Sequence, residues 1–84
     1  MILNIKFFAK YRECYGEGLK ISLDKEEIRI IDLIDILEDE YNISIKEDFN
    51  NGNVIVSKDC EITTGEDVIN GDSEIGIYPP VSGG

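Results

Sequence analysis

Apolar and polar residues alternate almost from the first position. Leu3, Ile5 and Phe7 fall on one side, and Asn4, Lys6 and Phe8 on the other. That two-residue period predicts a half-buried strand from Leu3 to Ala9, with Phe8 interrupting its polar side. Tyr11-Arg12-Glu13 and a loop at Gly16-Glu17-Gly18 follow. Alternation then resumes, with Leu19, Ile21 and Leu23 set against Lys20, Ser22 and Asp24. Two strands at this spacing read as an antiparallel hairpin. From Ile30 to Tyr41 the period lengthens: Ile30, Leu33, Ile34, Leu37 and Tyr41 make one helical stripe, while Asp32, Asp35, Glu38, Asp39 and Glu40 fill most of the rest. The early acids suit the positive end of the helix dipole and the late ones do not. No good capping residue precedes the helix. Asn50-Asn51-Gly52 predicts a turn, Val54-Ile55-Val56 a third strand, and Cys60 to Ile62 a short fourth. Thr64 to Asp72, which holds Gly65, Asn70 and Gly71, reads mostly as turn. The last strand runs from Glu74 to Tyr78, with Ile75 and Ile77 on one face and Tyr78 on the other.

Strand, strand, helix, strand, short strand, strand is an α+β order. The helix buries its stripe only by packing on one face of a mixed sheet. This is the element order of a ubiquitin-like β-grasp: four to five strands on one main helix, with the first and last strands expected, by analogy, side by side and parallel at the centre. The 84 residues are enough for one small core and read as a single domain over 1–84, ending in a flexible tail at 79–84.

Charge narrows the function. Eighteen acidic and eight basic residues with no histidine give a net charge of −10. Nucleic acid and anionic membranes are disfavoured partners, since the basic residues are scattered along the sequence. A positively faced protein fits better. Without histidine there is no imidazole catalyst, and no metal site is expected. Cys14 and Cys60 match no ligand spacing and read as reduced thiols. Asn4 and Lys6 break the N-terminal apolar run too early for a signal peptide, and no stretch approaches a membrane span. The expected compartment is the cytoplasm.

The C-terminus, Pro79-Pro80-Val81-Ser82-Gly83-Gly84, carries the chemistry. Pro80 holds Pro79 extended, and neither proline donates to a strand ladder, so pairing ends there. The last four residues reach up to about 13 Å, at about 3.3 Å each. Gly83-Gly84 has no Cβ and fits a channel as narrow as a backbone. The functional group at the tip is the terminal carboxylate, anionic at neutral pH. It becomes a useful electrophile once adenylated, which calls for a slim peptide end held out by a rigid body.

Phe7-Phe8-Ala9, Arg12-Glu13, Gly71-Asp72 and the terminal Pro79-Pro80-Val81-Ser82-Gly83-Gly84 together resemble the molybdopterin synthase small subunits, a family of ubiquitin-like sulfur carriers. The resemblance spans essentially the whole chain. It implies that a ubiquitin-activating-enzyme-like adenylyltransferase uses ATP to adenylate the Gly84 carboxylate, and that a persulfide donor converts it to a thiocarboxylate. The tail then enters the large catalytic subunit and gives sulfur to cyclic pyranopterin monophosphate, forming the dithiolene that binds molybdenum or tungsten. On this reading the chain is a cosubstrate with no active site and no bound cofactor of its own.

Strand parity adds a docking surface. If the first and last strands are parallel neighbours, Phe8 and Tyr78 share one end of the sheet and point away from the helix. Cys60, after the third strand, joins them as a small apolar group. Other readings remain open from the residues: a ubiquitin-like modifier joined to lysines through Gly84, a sulfur carrier for another pathway such as thiamin thiazole, and a plain acidic interaction domain for which the tail is irrelevant.

Overall fold

A computed structural model describes residues 1–80. The elements run β1 (Ile2–Phe7), α1 (Lys10–Tyr15), β2 (Gly18–Ser22), β3 (Ile28–Arg29), α2 (Ile30–Tyr41), α3 (Lys46–Asn50), β4 (Ile55–Lys58), β5 (Glu61–Ile62), β6 (Val68–Ile69) and β7 (Ser73–Tyr78). Five strands form a sheet in the order β2-β1-β7-β4-β5, and β3 pairs with β6 in a small second sheet. In the large sheet β1 and β7 lie side by side and parallel, and the β1–β2, β7–β4 and β4–β5 pairs are antiparallel.

The alternation decides which face is covered. Leu3, Ile5 and Phe7 of β1, Ile75 and Ile77 of β7, Ile21 and Val56 are all buried, beneath Ile30, Leu33, Ile34 and Leu37 of α2. Each such side chain contributes roughly 1.5–3 kcal/mol over its exposed state, so the pattern strongly selects one register. A shift of one residue would turn Leu3, Ile5 and Phe7 into solvent. This five-stranded mixed sheet clasping one main helix is the ubiquitin-like β-grasp.

Several local expectations change. β1 ends at Phe7 rather than Ala9, although the Phe8 N–H still donates to the Ile77 carbonyl at 3.0 Å. Ala9 has φ 52° and ψ −127°, and the Tyr11 N–H donates to the Phe8 carbonyl at 3.1 Å. The chain thus turns sharply out of the sheet into α1, a helix the sequence reading did not assign. The Tyr11 ring anchors that helix: it is buried, and its one hydroxyl proton is shared between the Asn53 carbonyl at 3.1 Å and Asp48 Oδ2 at 3.2 Å. Tyr41, expected on the buried stripe, is exposed, because the helix ends there: Asn42 takes the left-handed conformation (φ 58°) and the Ile43 N–H donates to the Leu37 carbonyl at 3.0 Å. The segment from Thr64 to Asp72, read mostly as turn, contains β6 and also supplies the missing helix cap. Its Asp67 and Gly65 carbonyls accept from the Ile30 and Ile31 N–H groups at 2.9 and 3.1 Å. The Asp32 carboxylate accepts from the Arg29 backbone N–H at 3.3 Å, and the Arg29 guanidinium holds that carboxyl below the usual range. Among the described residues no helix is long and apolar enough to cross a membrane.

Candidate functional site

The face of the sheet opposite α2 is open, and parity places there Asn4, Lys6 and then Phe8 along β1, with Glu74, Gly76 and Tyr78 on β7. Phe8 and Tyr78 meet as a parallel stack, ring centroids 4.4 Å apart and planes 3° from parallel. Gly76 makes room for it. A Cβ built at that position would lie 2.6 Å from Tyr78 Cε1, 2.8 Å from the Tyr78 hydroxyl and 2.6 Å from Ser57 Oγ. The tyrosine ring therefore lies back along its own strand, over Gly76, and covers Ser57, which is buried. Phe8 stacks on one face of the ring.

Beside this stack runs an apolar groove of about 390 Å³. Its floor and walls come from Phe8 and Ala9 at the exit of β1, Ile55 and Ser57 of β4, Cys60 and Ile62 of the β4–β5 hairpin, and Tyr78 and Pro79 at the exit of β7. Among the described residues none that lines it is charged. Ile62 is 76% exposed, an unusual position for a large aliphatic side chain that packing does not require. The hairpin tip is a two-residue connection, Asp59-Cys60, in which both residues have positive φ (48° and 73°), as a type I′ turn demands. Asp59 fixes it to the sheet, since its Oδ1 accepts from the Glu74 N–H at 2.9 Å and its own N–H donates to the Glu74 carbonyl at 2.8 Å. Cys60 is exposed at the groove's rim, and Cys14 is exposed on α1.

The structure thus brings together Phe8 and Tyr78, which sequence parity pointed to, Cys60, expected beside them, and Pro79, expected at the base of the tail. Pro79 is half-buried against the groove and Pro80 is exposed. Val81, Ser82, Gly83 and Gly84 lie outside the described residues. Ile55 and Ile62 escaped the sequence reading. The sequence held no signal for Ile55, since Val54-Ile55-Val56 is uniformly apolar; burial of Val54 and Val56 shows that the residue between them faces out. Ile62 needed the hairpin register, which pairs it with Ser57.

A second, larger and more polar cleft of about 730 Å³ adjoins the stack on the β1–β2 side. Lys6, Arg12, Glu17 and Glu74 line it, with Phe8 shared between the two depressions. Among the described residues no group of three or more Cys, Asp or Glu side chains is arranged to hold a metal ion.

Among solved structures, the chain superposes on SAMP1 from Haloferax volcanii with a TM-score of 0.77 and 21% identity, covering 100% of both chains. A putative molybdopterin converting factor, subunit 1, from Pyrococcus furiosus gives 0.76 and 21%, covering 96% of this chain and 99% of that one. The small archaeal modifier protein 1 from Methanosarcina acetivorans gives 0.71 and 27%, covering 99% and 96%. Among curated proteins none matches. The ThiS family profile matches residues 5–84, nearly the whole sequence, its Gly-Gly end included. The chain belongs to the ThiS family, with the fold of the ubiquitin-like sulfur carriers.

Proposed function

We propose that the protein is the sulfur-carrying small subunit of molybdopterin synthase, and that its reactive group is the Gly84 carboxylate. A ubiquitin-activating-enzyme-like adenylyltransferase joins that carboxylate to AMP, releasing pyrophosphate from ATP. A persulfide's terminal sulfur displaces AMP to give an acyl disulfide; a protein thiol, as reductant, then attacks the donor's sulfur, forming a protein disulfide and releasing the thiocarboxylate. The large catalytic subunit then receives the tail and transfers its sulfur to cyclic pyranopterin monophosphate. The carrier itself is consumed and reloaded rather than acting as a catalyst, and it works in the cytoplasm. It holds no cofactor, since ATP belongs to the activating enzyme.

The observation that carries this reading is the uncharged groove beside the Phe8–Tyr78 stack, lying where β7 releases Pro79 and the tail. A partner gripping the groove has the tail's starting point within the same footprint. Phe8, Tyr78 and Cys60 are assigned to partner docking; Pro79, Pro80, Val81, Ser82 and Gly83 to delivery of Gly84. Replacing Phe8 or Tyr78 by Ala is expected to weaken partner binding by about 1–3 kcal/mol. Equal affinity in both variants would remove the groove from the account.

The test of the chemistry is intact mass after incubation with the adenylyltransferase, ATP and a sulfur donor. The expected product is heavier by the difference between sulfur and oxygen, and a variant lacking Gly83 and Gly84 is unchanged. A second reading, a modifier conjugated to lysines through Gly84, draws support from the likeness to the two archaeal modifier proteins. Isopeptide-linked products in the same reaction, with no thiocarboxylate, would favour it.

A further inference from the structure

The β4–β5 hairpin leaves one backbone donor and one acceptor unused at the edge of the sheet. Lys58 pairs with Glu61 across the two-residue turn, and the Thr63 N–H donates to the Val56 carbonyl at 2.9 Å. In an antiparallel ladder bonded pairs alternate with unbonded ones, so Ser57 and Ile62, which stand between those two, do not bond each other. The Ser57 groups turn inward to β7, where the residue stands opposite Gly76. The Ile62 N–H and C=O turn outward, past the last strand, and among the described residues neither meets a partner. A free edge of this kind is a template for one more strand. The Ile62 side chain, 76% exposed, stands at the same place.

Two different surfaces meet at Ile62. On the open face lies the apolar groove. On the other side of the hairpin is a polar depression of about 410 Å³, lined by Lys58, Asp59, Glu61, Asp67 and Val68 as well as Ile62. Register puts it there: Lys58 stands opposite Ile75, which is buried under α2, so Lys58 and Glu61 point to the helix side. Three acids face one lysine, and among the described residues none of the four is in an ion pair. Asp59 and Asp67 each commit one carboxylate oxygen, to the Glu74 and Thr64 N–H groups, and keep the other. Val68 beside them is 43% exposed. Acids next to aliphatic carbon suit a long cationic side chain, whose stem packs while its head pairs.

Resting on the docking reading above, we infer that the adenylyltransferase docks by an extended segment that adds to the sheet beside β5. Its backbone takes both free groups of Ile62. Successive side chains of a strand alternate in direction. The residue opposite Ile62 therefore faces the groove and is apolar, and its neighbour faces the depression and is an arginine or lysine. The segment is basic for a chemical reason. An enzyme that holds ATP and the Gly84 carboxylate together surrounds these anions with cations. The tail's last four residues reach up to about 13 Å. Pro79, at the tail's base, lines the same groove as Ile62, so the hairpin stands near that charged centre. Its acids add attraction where the enzyme is most positive. A second copy of the carrier is a poor occupant, since it brings the same net charge of −10 and the same acids to the edge.

The first measurement is amide hydrogen exchange of the full-length carrier, read by NMR for the carrier alone and in complex with the purified adenylyltransferase of the same organism. The Ile62 amide is expected to exchange freely in the carrier alone and about tenfold more slowly, or slower still, in the complex. The second is calorimetric titration of the enzyme at low and high salt. Glu61→Lys with Asp67→Asn is expected to weaken binding by about tenfold at low salt, and by less at high salt. Glu38→Lys with Asp39→Asn makes the same charge change on α2 and should stay within about twofold of wild type. Circular dichroism checks the fold of each variant. An Ile62 amide left unprotected in the complex, or undiminished binding by the variant at Glu61 and Asp67, overturns the inference; if Phe8→Ala still binds weakly, the docking groove stands. Equal weakening by the α2 variant would make the effect one of net charge, and overturns it too. Undiminished binding by Phe8→Ala and Tyr78→Ala overturns the groove itself. Ile62 protection that needs only a higher carrier concentration, or that only the large catalytic subunit produces, would assign the edge to another occupant, against the inference.

Discussion

At Gly76 a single hydrogen stands where any other residue has a carbon, and the Tyr78 ring fills the space left. Gly76→Ala forces that ring off the strand and breaks its stack with Phe8. The expected loss is about 1–3 kcal/mol of stability, read from the denaturant midpoint, with loss of the ring-current shifts of the stacked pair. Ala9 is the opposite case, a side chain where glycine fits better. At φ 52° and ψ −127° an L-residue is strained. Ala9→Gly is expected to raise stability by about 1 kcal/mol, the relief of strain exceeding the entropy glycine adds to the unfolded chain. An unchanged or lower midpoint would show that the turn is not strained. Tyr11 sets a pH limit. Burial, reinforced by Asp48, pushes its phenol up from 10.0 to about 12. The folded state thus holds the proton more tightly than the unfolded one. Tyr11's contribution is complete below pH 10 and is lost as pH rises from about 10 to 12. Comparing wild type with Tyr11→Phe across that range should show the gap between them closing as pH rises.

Among the elements, α2 owes its position to groups far away in sequence. Its stripe of Ile30, Leu33, Ile34 and Leu37 was plain from the 3.6-residue period, and the observed limits, Ile30–Tyr41, match it. Its cap was not legible, because the carbonyls that satisfy Ile30 and Ile31 belong to Asp67 and Gly65, brought there by β3–β6 pairing. Leu37→Ala is expected to cost about 2–5 kcal/mol, since it opens a cavity in a fully buried layer. A midpoint shift equivalent to less than 1 kcal/mol, on the order of a surface change, would contradict that placement. The short helix α1 was equally hidden: Lys10–Tyr15 is six residues, too short for a periodic signal, and is held by Tyr11 through Asn53 and by Tyr15 against Phe7, ring centroids 5.5 Å apart.

For the molecule as a whole, the parallel β1–β7 pair puts the exits of two strands side by side, and so the Phe8–Tyr78 stack beside the start of the tail. Among the described residues the buried core is built from side chains between Leu3 and Ile77. Removing Gly83 and Gly84 is therefore expected to leave the thermal midpoint unchanged while abolishing sulfur loading. A fall in the midpoint would mean that the tail takes part in the fold.

By itself the sequence determined the α+β class, the covered and open faces of the strands, the limits of α2, and the terminal Gly-Gly with its stiff proline base. These follow from local periods of two and 3.6 residues and from the special backbones of Pro and Gly, which act within a few positions. Only the tertiary structure decided that Ile55 and Ile62 join Phe8 and Tyr78 in one groove, that Gly76 carries the tyrosine ring, and that a remote loop caps α2. Each depends on strand register and on contacts between distant residues, and a charge total or a hydrophobic period contains no information about which distant residues meet.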